Sequence, residues 1–288
     1  VLKNDIRLTF TDNDDWRGSI TAVVVDEKPL EQEKYSISPG VITLYASVFP
    51  SSATYTITVK ANGYKDAEVE QKIIVLKITG NGVENEITFT LPELEEMQGS
   101  AAWVGPRVYS TINTWPSKKW YASEGVKLTA LLGEAKIKGS ARLIKVKSVD
   151  GYVMTFTKKE LLDDTRYYFP NFKEGGGDGD GHIPGSPNGA EPVDAIIALR
   201  SVENSVNFGY MSPLACPLMV LGQRAVTEQT NHTFVKNVAE IEVSCDSPQR
   251  WAAPKAEPAG GEVPAGTEVK LTNEYNDADK IYYTTDGS

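Results

Sequence analysis

The chain is poor in the residues that metal and redox chemistry need. Its 288 residues include two cysteines, Cys216 and Cys245, and two histidines, His182 and His232. Two cysteines cannot build a disulfide scaffold or a thiolate-rich metal site. Two histidines leave little for a zinc centre or a His-based triad. No stretch reaches the roughly 18 apolar residues of a membrane-crossing helix, so no membrane span is expected. A basic excess is also missing, with 29 Lys and Arg against 39 Asp and Glu for a net charge of −10. Nucleic acid is therefore excluded as a partner, because phosphate binding needs a basic footprint. The acid excess is spread out, at −3 over residues 1–74, −4 over 75–248 and −3 over 249–288. It reads as solubility charge, not as a binding tail.

What is present is a folded, mainly β chain. An apolar fraction of 40 % and a charged fraction of 24 % are ordinary for a globular protein. The length suggests two or three domains. Period-two runs dominate the first block: Thr21–Val25, Val41–Tyr45 and Tyr55–Lys60, separated by turn residues such as Ser38-Pro39-Gly40 and Asn62-Gly63. Residues 1–74 are read as a β-sandwich-like module, with one helical turn capped by Asp14 or Asp15 ahead of Trp16-Arg17.

Residues 75–247 are read as an α+β domain. A strand at Val75–Thr79 and another at Glu86–Thr90 flank Gly80-Asn81-Gly82, a hairpin signal. Leu91–Met97, Gly125–Glu134 and Lys158–Asp163 are the helix candidates, with Leu128, Leu131 and Leu132 on one helical face. Further strands are expected at Leu143–Ser148, Val153–Phe156, Ala195–Arg200, Leu218–Leu221 and Ala239–Val243. Residues 171–192, rich in Gly and Pro, form a long exposed loop. Residues 248–264 read as a linker, and strand signals at Glu268–Thr272 and Lys280–Thr285 make 248–288 a linker plus a partial β-sandwich. The opening Val1–Asp5 does not read as a signal peptide. Both ends are expected to continue in a longer protein.

Three family resemblances follow these residues. Asp15-Trp16-Arg17, Ile20–Val23, Tyr35–Ile37, Ile42–Leu44, Tyr55–Ile57 and Ala61–Ala67 resemble the haemoglobin-interacting repeat domain of Gram-positive surface proteins. Leu76–Gly80, Thr88–Leu94, Gly125–Leu132, Asp150–Tyr152, Ala195–Leu199, Cys216–Leu221 and Val235–Glu242 resemble the molybdopterin-binding fold of sulfite-oxidase-type oxidoreductases. Val263–Thr267, Val269–Leu271 and Ile281–Ser288 resemble the start of a chitobiase/hexosaminidase C-terminal-type domain. The second resemblance implies a molybdenum-ligating Cys near the position of Thr111, and a hydroxyl cannot replace that soft thiolate. It also implies an Arg where Met219 stands, while Lys236 is retained. A fold kept without its cofactor is the expectation.

Tyr109, Thr111, Asn113, Trp115, Trp120, Tyr121 and Lys236 make up the candidate ligand pocket, either open to a small ligand or filled by its own aromatics as core. Asp178 and Asp180 are a candidate weak Ca²⁺ site, against the alternative of a plain acidic loop. His232 is a candidate metal or haem ligand set against a surface role, and Cys216 reads as a buried thiol. No cofactor is expected. The favoured function is that of a non-catalytic, extracellular cell-surface binding or adhesion fragment of a Gram-positive-type bacterium, taking a protein or glycan. A molybdopterin-dependent oxidoreductase with altered ligation is one alternative. Haem or haemoglobin capture through Trp16, Tyr35, Tyr55 and Tyr64 is the other.

Overall fold

The computed structural model describes residues 4–115, 117–174, 184–248, 255–259 and 261–272. The chain divides into a unit spanning Val1–Asp246 and a second spanning Ser247–Ser288.

The first unit begins with two sheets. Strands β1 (Ile6–Thr9), β4 (Tyr35–Ser38) and β5 (Val41–Leu44) form one, in the order β1-β5-β4. Strands β2 (Ile20–Val25), β3 (Lys28–Pro29), β6 (Thr54–Ala61) and β7 (Ala67–Lys72) form the other, ordered β3-β2-β6-β7. Alternate residues of a strand face the same way. Val23, Ile42, Leu44, Phe49, Tyr55 and Ile57 thus meet in one apolar cluster drawn from both sheets. The predicted helical turn is α1 (Asp14–Gly18), but its cap is Asn13, whose Oδ1 accepts from Trp16 N at 2.8 Å. Asn and Asp cap about equally well, so the sequence could not choose between neighbours.

The remainder of this unit holds two larger sheets. The first has four strands, in the order β10 (Trp103–Ile112), β11 (Lys118–Lys127), β16 (Ile196–Glu203), β17 (Leu218–Val220). The second has five, in the order β13 (Val153–Thr157), β12 (Leu143–Ser148), β18 (Val238–Ser244), β8 (Leu76–Thr79), β9 (Ile87–Phe89). Only β18 and β8 pair in parallel within it. A short ladder of β14 (Tyr167–Tyr168) with β15 (Glu191–Pro192) closes the neck of the glycine-rich loop. Helix α2 (Leu91–Glu95) opens on a capping box, in which Thr90 Oγ1 accepts from Glu93 N while Glu93 bonds back to Thr90 N at 2.6 Å. Helix α3 (Leu128–Glu134) buries Leu128, Leu131 and Leu132 as the spacing predicts. Removing such a side chain costs about 2–5 kcal/mol.

Four local expectations are corrected. The helix predicted from Gly125 starts at Leu128, because Gly125–Lys127 remain in β11 and pair with β16. Gly125 lies so close to that strand that a Cβ would stand 2.2 Å from Ile197 O. Asn81-Gly82 is not a two-residue hairpin turn. Gly80 and Gly82 press on the Val243 backbone, and the loop runs on to Glu86 before β9. The loop expected to be exposed from residue 171 contributes Phe172, fully buried beside Ile112 and Phe169. Finally, the expected linker contains β19 (Lys255–Glu257), which pairs with β20 (Lys270–Thr272) in the second unit. The strand expected at Lys280–Thr285 lies outside the described residues.

Candidate functional site

The pocket residues read from the sequence do not form one site, and only Tyr121 and Lys236 among them line a common recess. Tyr109 and Thr111 are buried on one face of β10, and Tyr109 Oη donates to Asp194 O at 3.1 Å. Burial pushes the Tyr109 phenol well above its ordinary pKa. Thr111 Oγ1 shares a 2.8 Å hydrogen bond with Thr230 Oγ1. Asn113 turns the β10–β11 tip by accepting from Ser117 N at 2.7 Å. Trp115 stands on that tip, 83 % exposed. Trp120 faces the opposite side of the sheet and meets Phe172 edge-on at 4.6 Å. Lys236 lies apart from Trp120 and beside Tyr121, donating to Glu203 at 3.3 Å.

A molybdopterin does not fit this set. The position near Thr111 offers an enclosed hydroxyl already paired with Thr230. The thiols lie elsewhere: Cys216 follows the loop before β17, and Cys245 hydrogen-bonds through its backbone to Asn81. Burial raises the Cys216 thiol to about 12, so it stands as a neutral, enclosed thiol. Both cysteines are free. His232 occupies a single helical turn, where its carbonyl accepts from Tyr152 Oη at 2.8 Å. Among the described residues no three His, Cys, Asp or Glu side chains form a metal-sized group. Asp178, Asp180 and His182 lie outside the described residues.

The N-terminal two-sheet module does assemble a distinctive surface. At one end of its strands lie α1, the β4–β5 turn and the turn after β6. Phe10 meets Trp16 edge-on at 4.9 Å. Asp12 accepts from Gly40 N at 3.0 Å and from Arg17, which also reaches Asp14. The Arg17 hydrogen bond holds the Asp12 carboxyl below the usual carboxylate range. Asn62 N donates to Ser19 O at 2.9 Å and so ties the last turn to the end of α1. Tyr64 projects from that turn, 45 % exposed, within the same end of the module as the half-buried Trp16. The other two aromatics named from the sequence are core. Tyr35 and Tyr55 are buried, with hydroxyls bonded to Gln32 and Ser51 respectively.

The opposite end of this module is occupied. Ser52 Oγ donates to Ile73 O at 2.6 Å and accepts from Leu91 N at 3.0 Å. Lys72 Nζ reaches both Thr88 O at 3.1 Å and Glu93 at 2.8 Å. The end bearing Trp16, Arg17 and Tyr64 is therefore the one turned away from the remainder of the first unit.

Residues 1–74 match the family model described as the Hb-interacting domain of the heme-binding protein Shr-like family. A comparison with curated proteins finds no match. No helix among the described residues is long and apolar enough to cross a membrane.

Proposed function

We propose that the chain is a cell-surface binding protein that docks haemoglobin through the Trp16–Arg17–Tyr64 end of its first module. The match over residues 1–74 carries this reading. It favours haemoglobin capture, an alternative in the sequence reading, over adhesion to an unspecified partner. The placement of that end agrees with it. Tyr, Trp and Arg are the residues that anchor protein interfaces, and here they stand together at the end of the module away from its contacts with Thr88, Leu91 and Glu93.

The chemistry favours recognition of the globin surface over ligation of haem iron by this module. Protein side chains hold haem iron mainly through His, Cys, Met or Tyr. Residues 1–74 contain no His, Cys or Met. Two of the module's four tyrosines, Tyr35 and Tyr55, are buried with their hydroxyls engaged.

Biolayer interferometry with immobilised haemoglobin tests the proposal on the whole chain. Binding is expected, and Tyr64→Ala should weaken it about tenfold, the effect of losing a moderate interface anchor. Its exposed side chain leaves the circular dichroism spectrum unchanged. Absence of binding at micromolar haemoglobin, or equal affinity in the variant, refutes the assigned surface.

A further inference from the structure

The segment joining β16 to β17 exposes more apolar surface than a solvated connection needs. Val206, Phe208, Tyr210 (69 % exposed) and Leu214 (82 % exposed) all lie on it. Neighbouring exposed apolar side chains of this size mark binding surfaces. Tyr210 and Leu214 also line a recess of about 190 Å³, together with Tyr121, Glu203, Ser212 and Lys236.

The fold builds this recess from distant parts of the chain. Tyr121 and Glu203 are cross-strand partners on β11 and β16. Ser201 and Ser212 exchange backbone hydrogen bonds at 2.9 and 3.1 Å, which turns the apolar segment back along β16. Asn237 N donates to Ala215 O at 2.9 Å and so sets Lys236 beside that segment. Two ammonium groups then converge on one carboxylate: Lys119 Nζ at 2.5 Å and Lys236 Nζ at 3.3 Å from the two oxygens of Glu203. Counting Lys119, which pairs with Glu203 but does not line the recess, this trio carries one more cation than carboxylate, on a chain whose net charge is −10. Burial opposes ionisation of Glu203, but the hydrogen bonds from Lys119 and Tyr121 hold its carboxyl below the ordinary value. Lys236 is half-exposed, and Glu203 takes one of the three donors that an ammonium carries.

We propose that this recess binds an acidic sugar, a pyranose bearing a carboxylate. The weakly positive C–H face of the ring lies on the negative face of the Tyr210 aromatic system. The sugar carboxylate pairs with Lys236 and matches the excess cation. Its hydroxyls donate to Glu203 and bond with Ser212. A purely apolar ligand would bury Glu203 and Lys236 without new partners, which is costly. A protein partner would cover the apolar rim without needing a concave, charged floor.

Saturation-transfer difference NMR on the whole chain tests this, with D-glucuronate, D-glucose and acetate as probes. Glucuronate should receive saturation, with glucose several times weaker and acetate silent. Tyr210→Ala should abolish transfer to the ring protons. Lys236→Gln should weaken glucuronate binding about tenfold, as loss of a charge-assisted hydrogen bond implies. Both side chains are exposed enough to replace without unfolding, and circular dichroism checks this. Neither variant should alter haemoglobin binding, so the two proposals fail separately. No transfer from glucuronate, equal transfer from glucose, or indifference to both substitutions overturns the proposal.

Discussion

Lys118 is the residue whose surroundings conflict most with its chemistry. It is 2 % exposed, and its Nζ has no hydrogen-bond partner among the described residues. It pairs across the β10–β11 ladder with Ile112 and precedes Trp120 by two positions, so it faces the cluster of Ile112, Phe169 and Phe172. An enclosed ammonium without a partner is a recognised source of instability, and a methionine fills similar space with no charge to solvate. Lys118→Met should therefore raise the thermal midpoint by several degrees, measured by differential scanning calorimetry. An unchanged or lowered midpoint means that the amine is satisfied. Cys216 contrasts with it, since a thiol tolerates the same kind of enclosure as a small apolar group and simply becomes unreactive.

Strands β12, β18 and β8 show how an element reconciles a buried face with a charged one. Ile144 and Val146 point inward while Lys145 and Lys147 point out, opposite Glu242 and Glu240. Lys145 reaches Glu242 at 3.0 Å and Lys77 reaches Glu240 at 3.1 Å, while Lys147 bridges both carboxylates. Hydrogen bonds from Lys147 and Lys145 hold the Glu242 carboxyl below its ordinary value. The unfolded chain then binds the proton more tightly than the folded one. This contribution is complete above the unfolded Glu value of about 4.3 and is lost as pH falls through the lower folded value. Glu242→Gln should lower stability at pH 7, and its gap from the parent protein should close below about pH 4 in urea titrations. A gap that persists in acid excludes the ion pairs as its cause. Elements of this kind were legible in sequence, because β-branched residues at period two announce both the strand and its inner face. Helix α3 was legible from its leucine spacing, although the sequence reading starts it three residues early, and α2 was legible from Pro92 and the acid of its first turn. The recess was not. Glu203, Tyr210 and Lys236 are brought together by ladder register and a turned-back segment, and neither leaves a local pattern. The molybdopterin-fold resemblance points to Tyr121 and Lys236, and the alternation of Val206, Phe208 and Tyr210 among Ser, Asn and Gly was the local signal, since apolar residues in a turn-rich stretch have no strand to bury them.

At the scale of the molecule, the two larger apolar clusters of the first unit are joined through a few polar contacts around Ser52, Lys72 and α2. Ser52→Ala removes the acceptor of Leu91 N and the donor to Ile73 O. It should cost about 1–3 kcal/mol and broaden or split the calorimetric transition as the clusters unfold less cooperatively. A single sharp transition at the parent temperature would show that the apolar contacts alone couple them. The same clamp has a consequence for capture. A module held at its base by a side chain that bonds both its own Ile73 backbone and the first residue of α2 cannot swing freely about its connecting residues. Its far end presents Trp16, Arg17 and Tyr64 along one fixed direction before any partner arrives. Orientational freedom that a loosely tethered domain would lose on binding has already been lost on folding. Loosening Ser52 should therefore weaken haemoglobin binding without touching a single contact residue.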